Sequence, residues 1–129
     1  MSKSPRQILD AQISEAAFTH TVIGLARAIG WLVYHPRPAR TAQTVTGIDG
    51  VERTVWVTPM MGDVGFPDIL ALKGTRLVVA ELKRQDAPGP RPAQVEWLEA
   101  FRRVGAETFV WRPSDFEEIK RVLGEGRLT

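Results

Sequence analysis

Apolar and polar positions change period several times along this chain, and each change marks an element. Phe18, Val22, Leu25 and Ile29 recur at helical spacing and Gly30 is a natural stop, which predicts a helix of about four turns starting at Ser14. A shorter helix is expected at Ser4-Pro5-Arg6-Gln7, where a capping-box pattern carries proline in the first turn. Residues 31–35 then alternate as a strand, with Leu32 and Tyr34 on one face and Trp31, Val33 and His35 on the other, ended by Pro36-Arg37-Pro38. Residues 69–72 and 76–82 are apolar, β-rich runs joined by Lys73-Gly74-Thr75-Arg76, and a glycine at the first central position suits a type II′ hairpin turn. Residues 45–57 predict a second hairpin around Gly47-Ile48-Asp49-Gly50. Pro92 opens a helix on which Gln94, Trp97 or Leu98, Phe101 and Val104 share a face, with Gly105 as its stop. Residues 107–111 read as a further strand. Ser114-Asp115-Phe116-Glu117 then caps a last helix that turns Phe116, Ile119, Val122 and Leu123 inward and ends at Gly124. The order predicts an α/β fold, a mixed central sheet flanked by helices, with an inserted β-hairpin.

The hairpin around Gly74 carries a conflict that has chemical content. With Gly74 and Thr75 as the turn, Lys73 faces Arg76, Leu72 faces Leu77, and the same register sets Asp68 opposite Glu81. Opposed residues on an antiparallel pair have Cβ atoms about 4.5–5.5 Å apart, and like charges there are destabilising. The period of two also puts Lys83 on the face of Glu81, with Leu82 pointing away. A divalent cation held by Asp68 and Glu81, with the Lys83 ammonium beside it, is the simplest arrangement that turns this clash into a site.

Composition narrows the cation. The 129 residues include no cysteine and only two histidines, His20 and His35, so oxygen ligation of Mg²⁺ or Mn²⁺ is expected rather than a zinc centre. That length, 43% hydrophobic and 25% charged, suits one domain over residues 1–129. No apolar run matches a membrane span or the core of a signal peptide, which makes a cytoplasmic, membrane-free protein the expectation. A P-loop, a dinucleotide fingerprint, a nucleophile elbow and a paired-histidine zinc motif are all missing. The net charge of +2 is too small to argue for nucleic acid, but its distribution is uneven. Residues 16–48 hold no carboxylate while including Arg27, Arg37 and Arg40, and the arginine fork suits bidentate phosphate contacts. Solvated surface charge is the competing explanation for each of them.

Other candidates flank the hairpin. Glu15 falls on the apolar face of the first long helix, where an unpaired carboxylate is costly unless it stays solvated at the helix N-terminus and complements the dipole. Gln94 heads the core-facing stripe of its helix, close to the polar end of the hairpin, or else bonds local backbone. His35 ends a strand near Arg37 and Arg40, which keeps phosphate contact open beside a purely structural role. Arg84 opens a loop at 84–90, and residues 60–65 lead into the hairpin with glycines that permit close backbone approach.

Pro67-Asp68, followed after a short apolar strand by Glu81-Leu82-Lys83, resembles the PD-(D/E)XK nuclease motif. With Glu15 before it and Gln94 after it, the chain is similar to small stand-alone VRR-NUC domains over roughly residues 14–123, with 45–57 as an elaboration. The resemblance implies a restriction-endonuclease-like fold and metal-dependent phosphodiester hydrolysis. It further implies metal ligation by Asp68, Glu81, the Leu82 carbonyl and Glu15, directly or through water, with Lys83 at the attacking water or the phosphoryl oxygens and Gln94 as a positioning group. It gives 5′-phosphate and 3′-hydroxyl ends as products and DNA as the expected partner, with RNA left open, and makes His35, Arg37, Arg40 and Arg84 candidate nucleic-acid contacts. Small nucleases of this kind suggest cutting selected by DNA structure, at junctions, flaps or ends, in replication, repair or recombination. Cutting both strands of a symmetric junction would need a homodimer. A silent nuclease-like domain that binds DNA or a protein is the alternative, although each expected site residue is present.

Overall fold

Local signals act as the sequence expects at most element boundaries. In a computed structural model describing residues 2–36, 41–57 and 61–124, the elements run α1 (Pro5–Gln12), α2 (Glu15–Ile29), β1 (Leu32–Tyr34), β2 (Thr41–Thr46), β3 (Glu52–Val57), β4 (Ile69–Lys73), β5 (Arg76–Leu82), α3 (Pro92–Arg103), β6 (Glu107–Trp111), a 3₁₀ turn (Pro113–Asp115) and α4 (Phe116–Gly124). Ser4 caps α1 through a reciprocal box with Gln7. The Ser14 hydroxyl accepts from the Ala17 N–H at the start of α2, and Gly30, at φ 107°, closes it in the left-handed conformation.

β1, β4, β5 and β6 form one mixed sheet in that spatial order, antiparallel across β1–β4–β5 and parallel between β5 and β6. The β4–β5 register pairs Lys73 with Arg76 and Leu72 with Leu77, as turn chemistry requires. Gly74 has φ +60° and among the described residues none other than glycine has positive φ, which among the mirror-image turns leaves the type II′ form. β5 is central, and Val78 through Leu82 are all buried. Its even positions Val78, Ala80 and Leu82 join Phe18, Val22, Ala26, Trp111 and Ile119 in the main core under α2 and α4. Val79 packs on the other face with Leu98 and Ala106, where Leu70, Leu77, Phe101 and Val110 complete a smaller core under α3. Each such fully buried aliphatic or aromatic side chain contributes on the order of 2 kcal/mol, so a sheet covered on both faces is the stable arrangement.

Two polar devices pin the sheet from outside. Arg76 donates to both carboxylate oxygens of Glu107 at 2.9 and 2.8 Å and lies 4.9 Å from the centre of the Trp31 ring. The Trp31 indole in turn donates to the Leu123 carbonyl at 2.9 Å, tying β1 to α4.

The structure corrects three local expectations. Val104 is 79% exposed and lies outside the core-facing stripe of α3, which ends with Phe101. Ser114 does not cap the last helix: its hydroxyl accepts from the Gln85 side-chain amide and its N–H donates to Gln85 Oε1, while Asp115 reaches back to the Arg112 N–H at 2.8 Å. The inserted hairpin begins earlier than residue 45, because β2 starts at Thr41 and pairs along its length with β3 as a separate two-stranded sheet. Among the described residues no helix is long and apolar enough to cross a membrane.

Candidate active site

The β4–β5 ladder ends at Ile69 opposite Ala80, just short of two carboxylates. Pro67, fully buried, has no N–H to continue the pairing, and Asp68 takes over as an acceptor: its Oδ2 receives the Leu82 N–H at 2.8 Å. The His35 ring, just past the end of β1, holds the same residue. Its Nδ1 lies 2.6 Å from the Asp68 carbonyl oxygen, and since a carbonyl only accepts, Nδ1 carries the proton. His35 therefore serves first to fix Asp68, and its Nε2 is the ring position left for other contacts.

Glu81 sits beside Asp68 on the same face of the sheet and is 1% exposed. Burial pushes its carboxyl up to about 9, reinforced by a hydrogen bond to the Asp68 carboxylate and by the Asp68 charge; Lys83 acts in the opposite sense, and Glu15 adds a smaller upward push. Glu81 Oε2 is buried without a hydrogen-bond partner, and among the described residues no lysine or arginine forms an ion pair with Asp68 or Glu81. The expected clash is present: burial and Asp68 favour the protonated form of Glu81, and Lys83 offsets them only in part.

Lys83 follows on the same face, its backbone held by a 2.9 Å bond from its N–H to the Trp111 carbonyl. Its Nζ donates to Gln94 Oε1 at 3.2 Å, and the same oxygen accepts the Arg91 N–H at 2.8 Å. Gln94 thus fills both roles open to it, capping α3 and aiming the ammonium. Gly65, at φ +97°, lets the preceding loop meet α3: a Cβ there would lie 2.7 Å from the Ala93 carbonyl carbon and oxygen. The glycine accommodates a helix, and Trp97 closes the contact by donating to the Val64 carbonyl at 3.0 Å.

Glu15 stands on the helix face that Phe18, Val22 and Ala26 continue, but it is exposed in the first turn of α2, so the dipole and solvent account for its charge. It nevertheless shares one wall of a hollow of about 330 Å³ with Asp68, His20 and His35. Arg84 is exposed, and its carbonyl accepts from Arg112 Nη1 at 2.7 Å. Arg37 and Arg40, with the residue Met60, lie outside the described residues. Sequence reasoning missed Arg112 and Gln85, which brace the loop after Lys83, and His20. Such contacts join residues 27–29 positions apart and leave no local pattern.

An oxygen-only donor set with an unpartnered buried carboxylate oxygen fits a hard cation such as Mg²⁺ or Mn²⁺. Against that, among the described residues no group of three or more His, Asp or Glu is arranged to hold a metal ion. Fold and site together define a mixed α/β domain with a carboxylate pair, a lysine and a glutamine gathered at one end of its sheet. No protein-family model matches the chain, and neither a curated protein nor a solved structure does.

Proposed function

We propose that the protein is a metal-dependent phosphodiesterase of the PD-(D/E)XK type, a DNA nuclease with a restriction-endonuclease-like core. The observation that carries this reading is the buried Glu81 with its unpartnered Oε2 beside Asp68, on the sheet face from which Lys83 reaches Gln94. A purely structural cluster would place compensating cations on such carboxylates, since an uncompensated buried pair is costly.

Asp68 and Glu81, with the Leu82 carbonyl, would hold the Mg²⁺ or Mn²⁺, and Glu15 would act through water from the N-terminus of α2. The ion, when bound, would neutralise phosphate charge and acidify a water. Glu81 must give up its proton on loading, so binding releases a proton. Lys83, aimed by Gln94, orients the attacking water or stabilises charge on the phosphoryl oxygens. Cutting selected by DNA structure, at flaps, ends or junctions, follows from a domain too small to read a long base sequence, and paired cuts at a junction would call for two chains.

That no three His, Asp or Glu among the described residues are arranged around one point favours a second reading, a silent nuclease-like domain that binds DNA or a protein without cutting. Cleavage of labelled single-stranded, duplex, flap and four-way-junction DNA with Mg²⁺, Mn²⁺ or EDTA separates the two. Metal-dependent cutting that disappears in Lys83→Ala supports the enzyme; binding without cutting under every metal supports the silent domain.

A further inference from the structure

The hollow beside Asp68 shares Asp68 and Glu15 with the chemistry just described, but the rest of its lining has no part in that chemistry and is unlike a phosphate site. α2 contributes Thr19, His20 and Ile23, the end of β1 contributes His35 and Pro36, and Glu15 and Asp68 join it to the carboxylates. Its volume of about 330 Å³ lies at the small end of ligand sites and suits one nucleoside. Two carboxylates in its lining disfavour a phosphate inside it, whereas two imidazoles and the apolar Ile23 and Pro36 suit a planar base, which stacks on histidine as on other rings. The Thr19 hydroxyl donates to the Glu15 carbonyl at 2.8 Å, and His35 Nδ1 is committed to Asp68, so these two side chains are held in place before anything enters.

We propose that this hollow is a subsite for one unpaired nucleotide of the substrate, next to the scissile phosphodiester, with His20 and His35 contacting its base. The inference rests on the phosphodiesterase reading and deepens it. A base that stays paired and stacked in a duplex cannot enter, and extruding it costs a few kcal/mol, least where the strand is already single. The subsite therefore selects single-stranded arms, ends or junction crossings over continuous duplex, with no need to read sequence.

The test is a set of flap substrates, each with one abasic residue at a different place in the single-stranded arm, cleaved by the native chain, His20→Ala and Ile23→Trp. One abasic position next to the cut should lower the native kcat/KM about tenfold, the order expected for losing one stacked base. Both variants should lose a similar factor on the intact substrate and nothing further on that abasic one. Indifference to every abasic position, or losses that multiply, would overturn the subsite while leaving the nuclease intact. A parallel titration of the metal-free protein with deoxycytidine, followed by the imidazole NMR signals of His20 and His35, reads the pocket without catalysis. Saturable shifts in the native chain that Ile23→Trp abolishes support it, and no shift refutes it. If no substrate is cut under any metal, the phosphodiesterase reading fails and the titration alone decides the pocket. Should Ile23→Trp fail to fold, the exposed His20→Ala substitution carries the comparison.

Discussion

Replacing Glu81 with glutamine should stabilise the metal-free protein at neutral pH, although it removes a group the site requires. The Glu81 carboxyl is held near 9 against an ordinary 4.5, so between those values the fold keeps a proton that the unfolded chain releases. Stability follows the difference in bound protons, so it is complete below about 4.5 and falls as pH rises toward about 9. At 1.36 kcal/mol per pH decade, keeping the proton at pH 7 costs about 3 kcal/mol, a large part of a typical domain's total. Glutamine is neutral throughout, can donate to Asp68 in place of the acid, and leaves one amide group short of a partner at a cost of about 1 kcal/mol. The net expectation is a gain of about 1–3 kcal/mol at pH 7 for Glu81→Gln.

Urea unfolding of both proteins from pH 5 to pH 9 in EDTA measures this directly. The native chain should lose stability steadily across the range, and the variant should be nearly flat. Parallel pH profiles, or a variant weaker at pH 7, would mean that Glu81 is ionised in the fold and balanced by Lys83, which refutes the account of a protonated Glu81. Mn²⁺ adds a second readout. It should stabilise the native chain more at pH 8 than at pH 6, since the proton must leave for the ion to bind, and should not affect the variant.

Gln94→Ala frees the Lys83 ammonium and removes the acceptor for the Arg91 N–H. It should lower kcat by about tenfold or more with KM little changed, as for an interaction used only in the transition state; a raised KM at constant kcat would show that Gln94 binds substrate instead. Gly65→Ala must adopt positive φ and overlap the Ala93 backbone, so denaturation should show a loss of about 2–4 kcal/mol, and a neutral result would mean that the loop and α3 separate easily. Arg76→Ala removes the bidentate donor to Glu107 and uncovers Trp31. A loss of about 1–3 kcal/mol by the same measurement is expected, with cleavage unchanged because Arg76 sits at the turn end of the sheet, away from Lys83.

What the sequence made legible here depends on how local the physics is. Parity counted from Gly74 was enough to bring Asp68 to Glu81 and to set Lys83 on the same face, because a type II′ turn leaves the hairpin a single register. The same kind of counting failed for Val104, where a helical period carried past the last turn points into solvent. It failed for Ser114, whose hydroxyl is taken by Gln85 from another loop. Glu15 was placed correctly on the face of Phe18 and Val22, but the period could not tell that the first turn of α2 overhangs the core and leaves it exposed, lining one hollow with Asp68. Asp68 itself has a sufficient structural explanation: as β4 breaks at Pro67, its carboxylate replaces a missing strand carbonyl for the Leu82 N–H. Glu81 has none. Any apolar residue of its size would fill that central strand position without an unpartnered oxygen, a bound proton or a like-charged neighbour, and burial of such a group is tolerated where it is used. If Glu81→Gln proves more stable and inactive while Lys83→Ala is inactive at unchanged stability, the carboxylate is held in the fold at the expense of stability for its chemistry. If both variants leave every nucleic-acid assay unchanged, the cluster is a packing accident and the phosphodiesterase reading fails with it.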